Sequence, residues 1–393
     1  MKEKLLAEIN DDKINYAAFC IDKKNGYKIL VEKTSKNLGI NKGKIFNMKG
    51  ASEIVSKDLR DIEKKLDKVF TNISVVINGD DFLCTNLTGF KKLNGSKVEK
   101  RDLEYILNEA KSSINKNQEK NSILHILNSN FFLDKKKYDQ VPLDKFGDHL
   151  SLHMTFISLP KNHLKNINTL FENSDLKIER VINKPFACGI NFINHKKNLK
   201  DFILINFDKE FTSISVYKNS SLIFLKTLPF GTNLIYRDVV KLCSLEQNEV
   251  ESIIDELNFN NFLDTSAKEL ETKFFKESNL TKITIQHFKN IIEARIEEMV
   301  KIIFNKNSNF FEDKYPETFL LFEDEKIRKK LGFFFQKSFK DENFHNTLDI
   351  HSYDNFTVLK GAAELIFKGW HKEAIPFIHK KRSIISSFFS RFF

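Results

Sequence analysis

Residues 203–217 read ILINFDKEFTSISVY. Two apolar, alternating stretches flank the charged triplet Asp208-Lys209-Glu210. Strand, tight turn, strand is a geometry that presents backbone N–H groups to a nucleotide phosphate. It ordinarily relies on glycine, because a Cβ blocks close approach of the backbone. Here two carboxylates stand in the turn. Carboxylates bind Mg²⁺, but toward a phosphate they are repulsive: two unit charges about 4 Å apart repel by roughly 1 kcal/mol in a bulk-like dielectric and several times that where water is excluded. The other reactive residue types are dispersed. The ten histidines form no HxH or HExxH spacing, and His125, inside ILHIL, reads as a satisfied core residue. Cys20, Cys84, Cys188 and Cys243 stand singly among apolar neighbours with no CxxC pair, the pattern of buried thiols in a reducing compartment. A GxSxG elbow and a Walker glycine–lysine loop are both missing. The residue types support neither catalysis nor a metal site.

The elements that would position this turn alternate between strand and helix. Runs at 5–9, 15–21 and 27–32 are β-like, and 51–70 carries Ile54, Val55, Leu59, Ile62, Leu66 and Val69 at three- and four-residue steps, a helical face. A strand at 73–77 ends at the turn signal Asn78-Gly79. Further strands are expected at 123–134, 153–160, 176–182 and 318–322, and helices at 97–114, 163–172, 236–242, 285–304 and 326–339. Such alternation predicts an α/β protein of two layered lobes, and 393 residues with 41% hydrophobic content supply more than one core. The net charge of +10 invites a nucleic-acid reading. The lysines, however, are interleaved with acids, as in NKNQEK and EKIRKK, and the chain is rich in the Lys, Asn, Ile and Phe of AT-rich coding; no nucleic-acid partner is expected. MKEKLLAEINDDK has no apolar core of signal-peptide length, and nowhere do about eighteen apolar residues run together. The expected location is the cytosol or the cytosolic face of a membrane.

The C-terminal end differs in character. In KKRSIISSFFSRFF, Ile384, Ile385, Phe388, Phe389, Phe392 and Phe393 fall on one broad helical face, while serines and Arg391 fall on the other. Lys380, Lys381 and Arg382 precede it, placed to meet anionic lipid. This is the pattern of an interfacial amphipathic helix; a terminal helix packed on the body of the protein is the alternative.

Taken together, these segments resemble the FtsA family of bacterial cell-division proteins, membrane-bound relatives of actin. NLGINKGKIFN (37–47) resembles the family's S-x-G-[IV]-x-x-G-x-I-x-D stretch, and ISVVINGDDFLCTNLTGF (73–90) resembles a strand leading to two spaced glycines, here Gly79 and Gly89. VEKRDLEYILNEAK (98–111), ILHILNSNFFLD (123–134), NKPFACGI (183–190), LPFGTNLIYRDV (228–239) and IIEARIEEM (291–299) follow in the family's order. Asn128 stands where the pattern has proline, and Thr232 where it has a second glycine. NKPFACGI matches E-P-[LIV]-A-x-x-x-A only in part.

The resemblance implies an actin-like fold of the actin/Hsp70/hexokinase type, two-lobed, with an SHS2-like insert subdomain and a C-terminal amphipathic helix. It implies boundaries at 1–71 and 159–195 for the first lobe, 72–158 for the insert, 196–372 for the second lobe, and 373–393 for linker and membrane helix. It also implies a function: tethering FtsZ filaments to the cytoplasmic membrane at the septum and recruiting later division proteins, with self-association as a further property. Actin-like proteins hold ATP and Mg²⁺ with three glycine-bearing loops. The matching positions here are Glu8-Ile9-Asn10-Asp11-Asp12-Lys13 for D-[IL]-G-[ST]-[ST]-K, Asn206-Phe207-Asp208-Lys209-Glu210-Phe211-Thr212 for D-[IL]-G-G-G-T-T, and Glu323-Asp324-Glu325 for the adenosine loop. All three have lost their glycines in the same direction, so no nucleotide cofactor is expected. The new acids read either as loop residues paired with local lysines such as Lys13, Lys209 and Lys326, or as bridges that lock a single conformation. For partners, the resemblance points to the helix near 285–304 as part of the FtsZ C-terminal peptide site, with Lys289, Arg295 and Lys301 as candidate contacts; for Arg295, pairing with Glu298 or Glu251 is the alternative. A PilM-like adaptor of a pilus or secretion assembly and an active, filament-forming actin-like ATPase are the competing functions.

Overall fold

The structure is a computed structural model that describes residues 3–22, 26–196, 199–257, 268–278, 282–307, 317–342 and 347–374. The expected amphipathic helix, with its basic and apolar positions from Lys380 to Phe393, lies outside the described residues. The chain divides into two compact units: the first comprises 1–201, 214–227 and 355–393, the second 202–213 and 228–354.

The chain opens with β1 (Lys4–Ile9), β2 (Lys13–Asp22) and β3 (Gly26–Lys36), then the short pair β4 (Ile40–Asn41) and β5 (Lys44–Ile45), helix α1 (Met48–Leu66) and β6 (Asn72–Ile77). Next come β7 (Leu83–Lys92), α2 (Lys100–Asn117), β8 (Asn121–Leu133), β9 (Lys136–Tyr138) and β10 (His149–Pro160). The first unit continues with α3 (Lys161–Glu172), β11 (Lys177–Asn183) and α4 (Lys184–His195). Its main sheet has the order β11-β6-β1-β2-β3. The three N-terminal strands form an antiparallel meander, and β6 and β11 add in parallel beside β1. The local causes are visible in the sequence. Asn47 caps α1 by accepting from the Gly50 amide, and Ala51, Val55, Leu59 and Ile62 bury the helical stripe.

NISVVI was expected to open the insert at residue 72. It is instead β6, a strand of the main sheet with five of six residues buried. Burial of consecutive residues, Ser74 included, is the mark of a strand covered on both faces, so the insert begins after Ile77. Its own antiparallel sheet, β8-β10-β7 with β9 on β8, packs α2 through Leu103, Ile106, Ala110 and Ile114 onto Phe131, Leu152, Met154 and Phe156.

The chain then runs through β12 (Phe202–Phe207), β13 (Thr212–Lys218), β14 (Ser221–Leu228), α5 (Asn233–Cys243), α6 (Gln247–Glu256), α7 (Ile285–Asn305), β15 (Glu317–Phe322), α8 (Glu325–Asp341), β16 (Thr347–Ser352), α9 (Thr357–Phe367) and β17 (Glu373–Ala374). This second sheet has the order β14-β13-β12-β15-β16, with β12, β15 and β16 mutually parallel. Both main sheets thus place three consecutive strands first and two later, parallel strands beside the earliest of the three.

The last described strand belongs to neither main sheet. β17 pairs antiparallel with β8 of the insert, Glu373 opposite Leu127 and Ala374 opposite Ile126. Beneath it, Glu373 and His125 have fully buried side chains, and Arg180 completes the cluster by donating to Glu373 Oε1. The Asn183 amide donates to His125 Nε2 at 3.1 Å, so the ring carries its proton on Nδ1 and donates that to Glu373 Oε1 at 2.6 Å. Burial lowers the His125 pKa and keeps the ring neutral. Burial alone would raise the Glu373 carboxyl, but the Arg180 charge and the His125 hydrogen bond outweigh it and hold that group down at about 2.

Candidate functional site

In the first unit, the turn between β1 and β2 is closed on itself. The Asn10 amide donates to the Lys13 carbonyl at 3.0 Å, and Asn37 Nδ2 donates to the Asn10 carbonyl at 2.8 Å. Asp11 Oδ1 accepts from the Gly43 amide at 2.9 Å, the Asp12 carbonyl accepts from the Asn37 amide at 2.9 Å, and Lys13 Nζ reaches Asn355 Oδ1 at 2.7 Å. Glu8 is buried in β1. One of its oxygens accepts from Asn15 Nδ2 at 2.9 Å, and the other lies 3.3 Å from Lys184 Nζ. Lys184, the first residue of α4 and only 1% exposed, also donates to Asn10 Oδ1 at 2.8 Å.

In the second unit, the turn after β12 has the same closure: the Asp208 amide donates to the Phe211 carbonyl at 2.9 Å. Asn206 within β12 and Thr212 at the start of β13 are buried. The loop before α5 is zipped onto this turn, the Thr232 amide donating to the Asp208 carbonyl and the Asn233 amide to the Lys209 carbonyl, each at 2.9 Å. Gly231 is what permits that approach. A Cβ built there would meet the Asp208 carbonyl oxygen at 2.2 Å and that of Lys209 at 2.5 Å. The Asp208 carboxylate is buried and accepts from Tyr353 Oη. Glu210 accepts from Asn233 Nδ2 at 2.8 Å and pairs with Arg237. In the third acidic stretch, the Glu323 amide donates to the Phe207 carbonyl, and Asp324 caps α8 by accepting from the Lys326 amide at 2.8 Å. Glu325 pairs with Lys329 at 2.8 Å, which lowers its pKa.

The acids therefore have partners within their own units. Lys13 binds Asn355 and Lys326 binds Asp255. Arg237 and Asn233 follow on the helix zipped to the turn and so reach Glu210, while Asp324 satisfies an open amide of α8. An actin-like fold implies ATP with Mg²⁺, and these residues do not fit it. The amides of Asn10 and Asp208 are spent on their own turns. Those of Thr232 and Asn233, at the start of α5 where a helix usually receives an anion, are spent on carbonyls. Lys184, Tyr353 and Gly231 are parts of this arrangement that the sequence reading passed over.

The expected partner helix is α7 in the second unit, capped by Thr284, whose side chain accepts from the His287 amide. Arg295 bonds to Asp238 of α5 and to Glu298, so the guanidinium ties two helices together; Glu298 was an expected partner and Asp238 was not. Lys289 lies over the Phe334 ring at 5.8 Å, and Lys301 is exposed. Among the described residues, no helix is long and apolar enough to cross a membrane.

Residues 79–158 match the family model described as the SHS2 domain inserted in FTSA. The cell division protein FtsA of Buchnera aphidicola subsp. Acyrthosiphon pisum is 20% identical over 352 residues, covering 89% of this chain and 79% of that protein. Its counterpart in Escherichia coli strain K12 is 19% identical over 215 residues, 55% of this chain and 51% of that one. The chain is FtsA-like. Its alignment spans 64% of the length of the FtsA from Buchnera aphidicola subsp. Schizaphis graminum, at 21% identity and 68% of this chain, less than two thirds of that relative. Solved structures place the FtsA-like chain in the actin-like fold. A chain of the PilM–PilN type IV pilus biogenesis complex superposes with a TM-score of 0.61 at 9% identity, covering 92% of this chain and 97% of its own. MreB5 of Spiroplasma citri bound to ADP gives 0.50 at 9% identity, with 94% and 98% covered.

Proposed function

We propose that this FtsA-like protein is a non-enzymatic adaptor of cell division. It holds FtsZ filaments at the cytoplasmic face of the inner membrane at the septum, recruits later division proteins, and does so without nucleotide. The observation that carries the reading is the FtsA-type insert, built as a folded antiparallel sheet into a chain whose sequence relatives are division proteins. The closed turns at Asn10–Lys13 and Asp208–Phe211 favour an adaptor over a filament-forming ATPase. The likeness to a chain of the PilM–PilN complex is one of fold at 9% identity, whereas the sequence likeness is to FtsA, which favours division over a pilus assembly. Residues 380–393 supply membrane attachment: Lys380, Lys381 and Arg382 meet anionic headgroups, and Ile384, Ile385, Phe388, Phe389, Phe392 and Phe393 enter the acyl boundary. Lys289 and Lys301 on α7 receive the acidic, apolar C-terminal peptide of FtsZ.

The test is flotation with phosphatidylglycerol-containing vesicles and purified FtsZ. The full chain is expected to carry FtsZ to the vesicle fraction, and a chain ending at residue 374 to leave it behind. FtsZ remaining at the bottom of the gradient with the full chain afloat would remove the FtsZ role.

A further inference from the structure

Lys184 is in a costly place. It is the first residue of α4, where the helix dipole is positive and a cation is disfavoured, and it is only 1% exposed. A lysine persists in such a position only with an anion at hand, and the anion is Glu8, 3.3 Å away and also buried. Asn10 Oδ1 at 2.8 Å gives a second oxygen to the ammonium, while Asn15, itself accepting from Thr34 at 2.9 Å, fixes the other oxygen of Glu8. The result is a cation in an oxygen-lined, water-excluded position beside the β1–β2 turn. Without the ammonium, the buried Glu8 carboxylate would need a cation from solution.

We infer that the Lys184 ammonium is a built-in counter-ion, covalently supplying at the β1–β2 turn the positive charge that a divalent metal would otherwise bring, so that this turn keeps one conformation irrespective of Mg²⁺ and nucleotide. The inference rests on the nucleotide-free reading above and says how that state is maintained. It deepens the account of that turn only; the turn at Asp208 is held by different means, through Tyr353 and the loop at Gly231.

The experiment is thermal unfolding of the full chain and its Lys184→Met variant, each in EDTA, in Mg²⁺, and in Mg²⁺ with ATP. The parent is expected to melt at one temperature in all three. Lys184→Met, close in shape but without charge, is expected to melt roughly 10 °C lower at pH 7 with the Glu8–Lys184 ion pair removed. It should regain part of that loss in millimolar Mg²⁺. Glu8→Gln combined with Lys184→Met removes both charges and should recover most of the loss, which separates a lost ion pair from a lost packing contact. A parent stabilised by Mg²⁺ or by Mg²⁺ with ATP would overturn the inference. So would a single variant that melts with the parent, or a double variant no better than the single. None of these readouts depends on FtsZ or lipid, so failure of the adaptor reading in flotation leaves this result to stand or fall by itself.

Discussion

Replacing Glu373 by Gln is the sharpest test of how the end of the described chain is held. The carboxylate faces Arg180 and the Nδ1–H of His125 from a fully buried position. Its pKa lies at about 2 instead of the ordinary 4.5. At ~1.36 kcal/mol per pH unit that difference corresponds to about 3 kcal/mol of folding stability. Breaking a buried pair by removing one partner gives a figure of the same order, ~3–5 kcal/mol. The sign follows from the direction. A carboxyl with a depressed folded pKa contributes stability that is fully present above about pH 4.5 and is lost as the pH falls through about 2. His125, kept neutral by burial, acts in the same sense, because below its ordinary value of 6.5 the unfolded ring takes up a proton that the folded one resists. Glu373→Gln should therefore melt roughly 6–12 °C below the parent at pH 7, at ~2–4 °C per kcal/mol for a folding unit of a couple of hundred residues. The gap should narrow steadily toward pH 3. Calorimetric melting across pH 3–8 is the assay. A variant within 2 °C of the parent at pH 7 (roughly 1 kcal/mol or less), or a gap that stays constant into acid, would refute the buried-pair reasoning.

Gly231→Ala should destabilise the second unit by about 3 kcal/mol in denaturant unfolding, because a Cβ there has only backbone carbonyls to push against. Glu249 accepts from the amides of Lys276, Glu277 and Ser278, and these hydrogen bonds, with the one from the Ser278 hydroxyl, overcome burial and hold its carboxyl at about 2. Glu249→Ala should speed amide exchange at those three residues, and the parent should show the same loosening only as the pH falls from about 4.5 toward 2. Lys289→Glu with Lys301→Glu should weaken binding of an FtsZ C-terminal peptide roughly tenfold in a titration. Arg295→Ala, which unties α7 from Asp238, should lower the melting temperature instead.

Much of the architecture could be read from periodicity. The stripe of α1, the alternation in the strands after Ile203 and the turn at Asn78-Gly79 each have a local cause. The closed state of the two turns could be anticipated from missing glycines, but what closes them could not. Lys184 meets Glu8 and Asn10 across more than 170 residues of sequence, and Tyr353 meets Asp208 across 145. Propensity and spacing carry no information at that range. Asp324 shows the opposite error. Lying directly before an apolar-periodic run, it bears the ordinary mark of a helix cap, and its place in a nucleotide-loop pattern drew attention from that. The start of the insert is hard to read for a related reason: β6 is buried at five of its six residues, and nothing within six residues tells which of two sheets such a strand joins.

The pairing of β17 with β8 also decides how the protein bears load. Tension applied to residues beyond Ala374 enters through two residues on the edge of the insert's sheet and the ion cluster beneath them. It reaches the insert through β8 and, through Arg180, strand β11 of the first main sheet. A pull along β17 loads both residue pairs at once, as in shear, whereas a pull away from the sheet opens them one after the other. The same junction would therefore hold firmly against drag in one direction and peel readily in another.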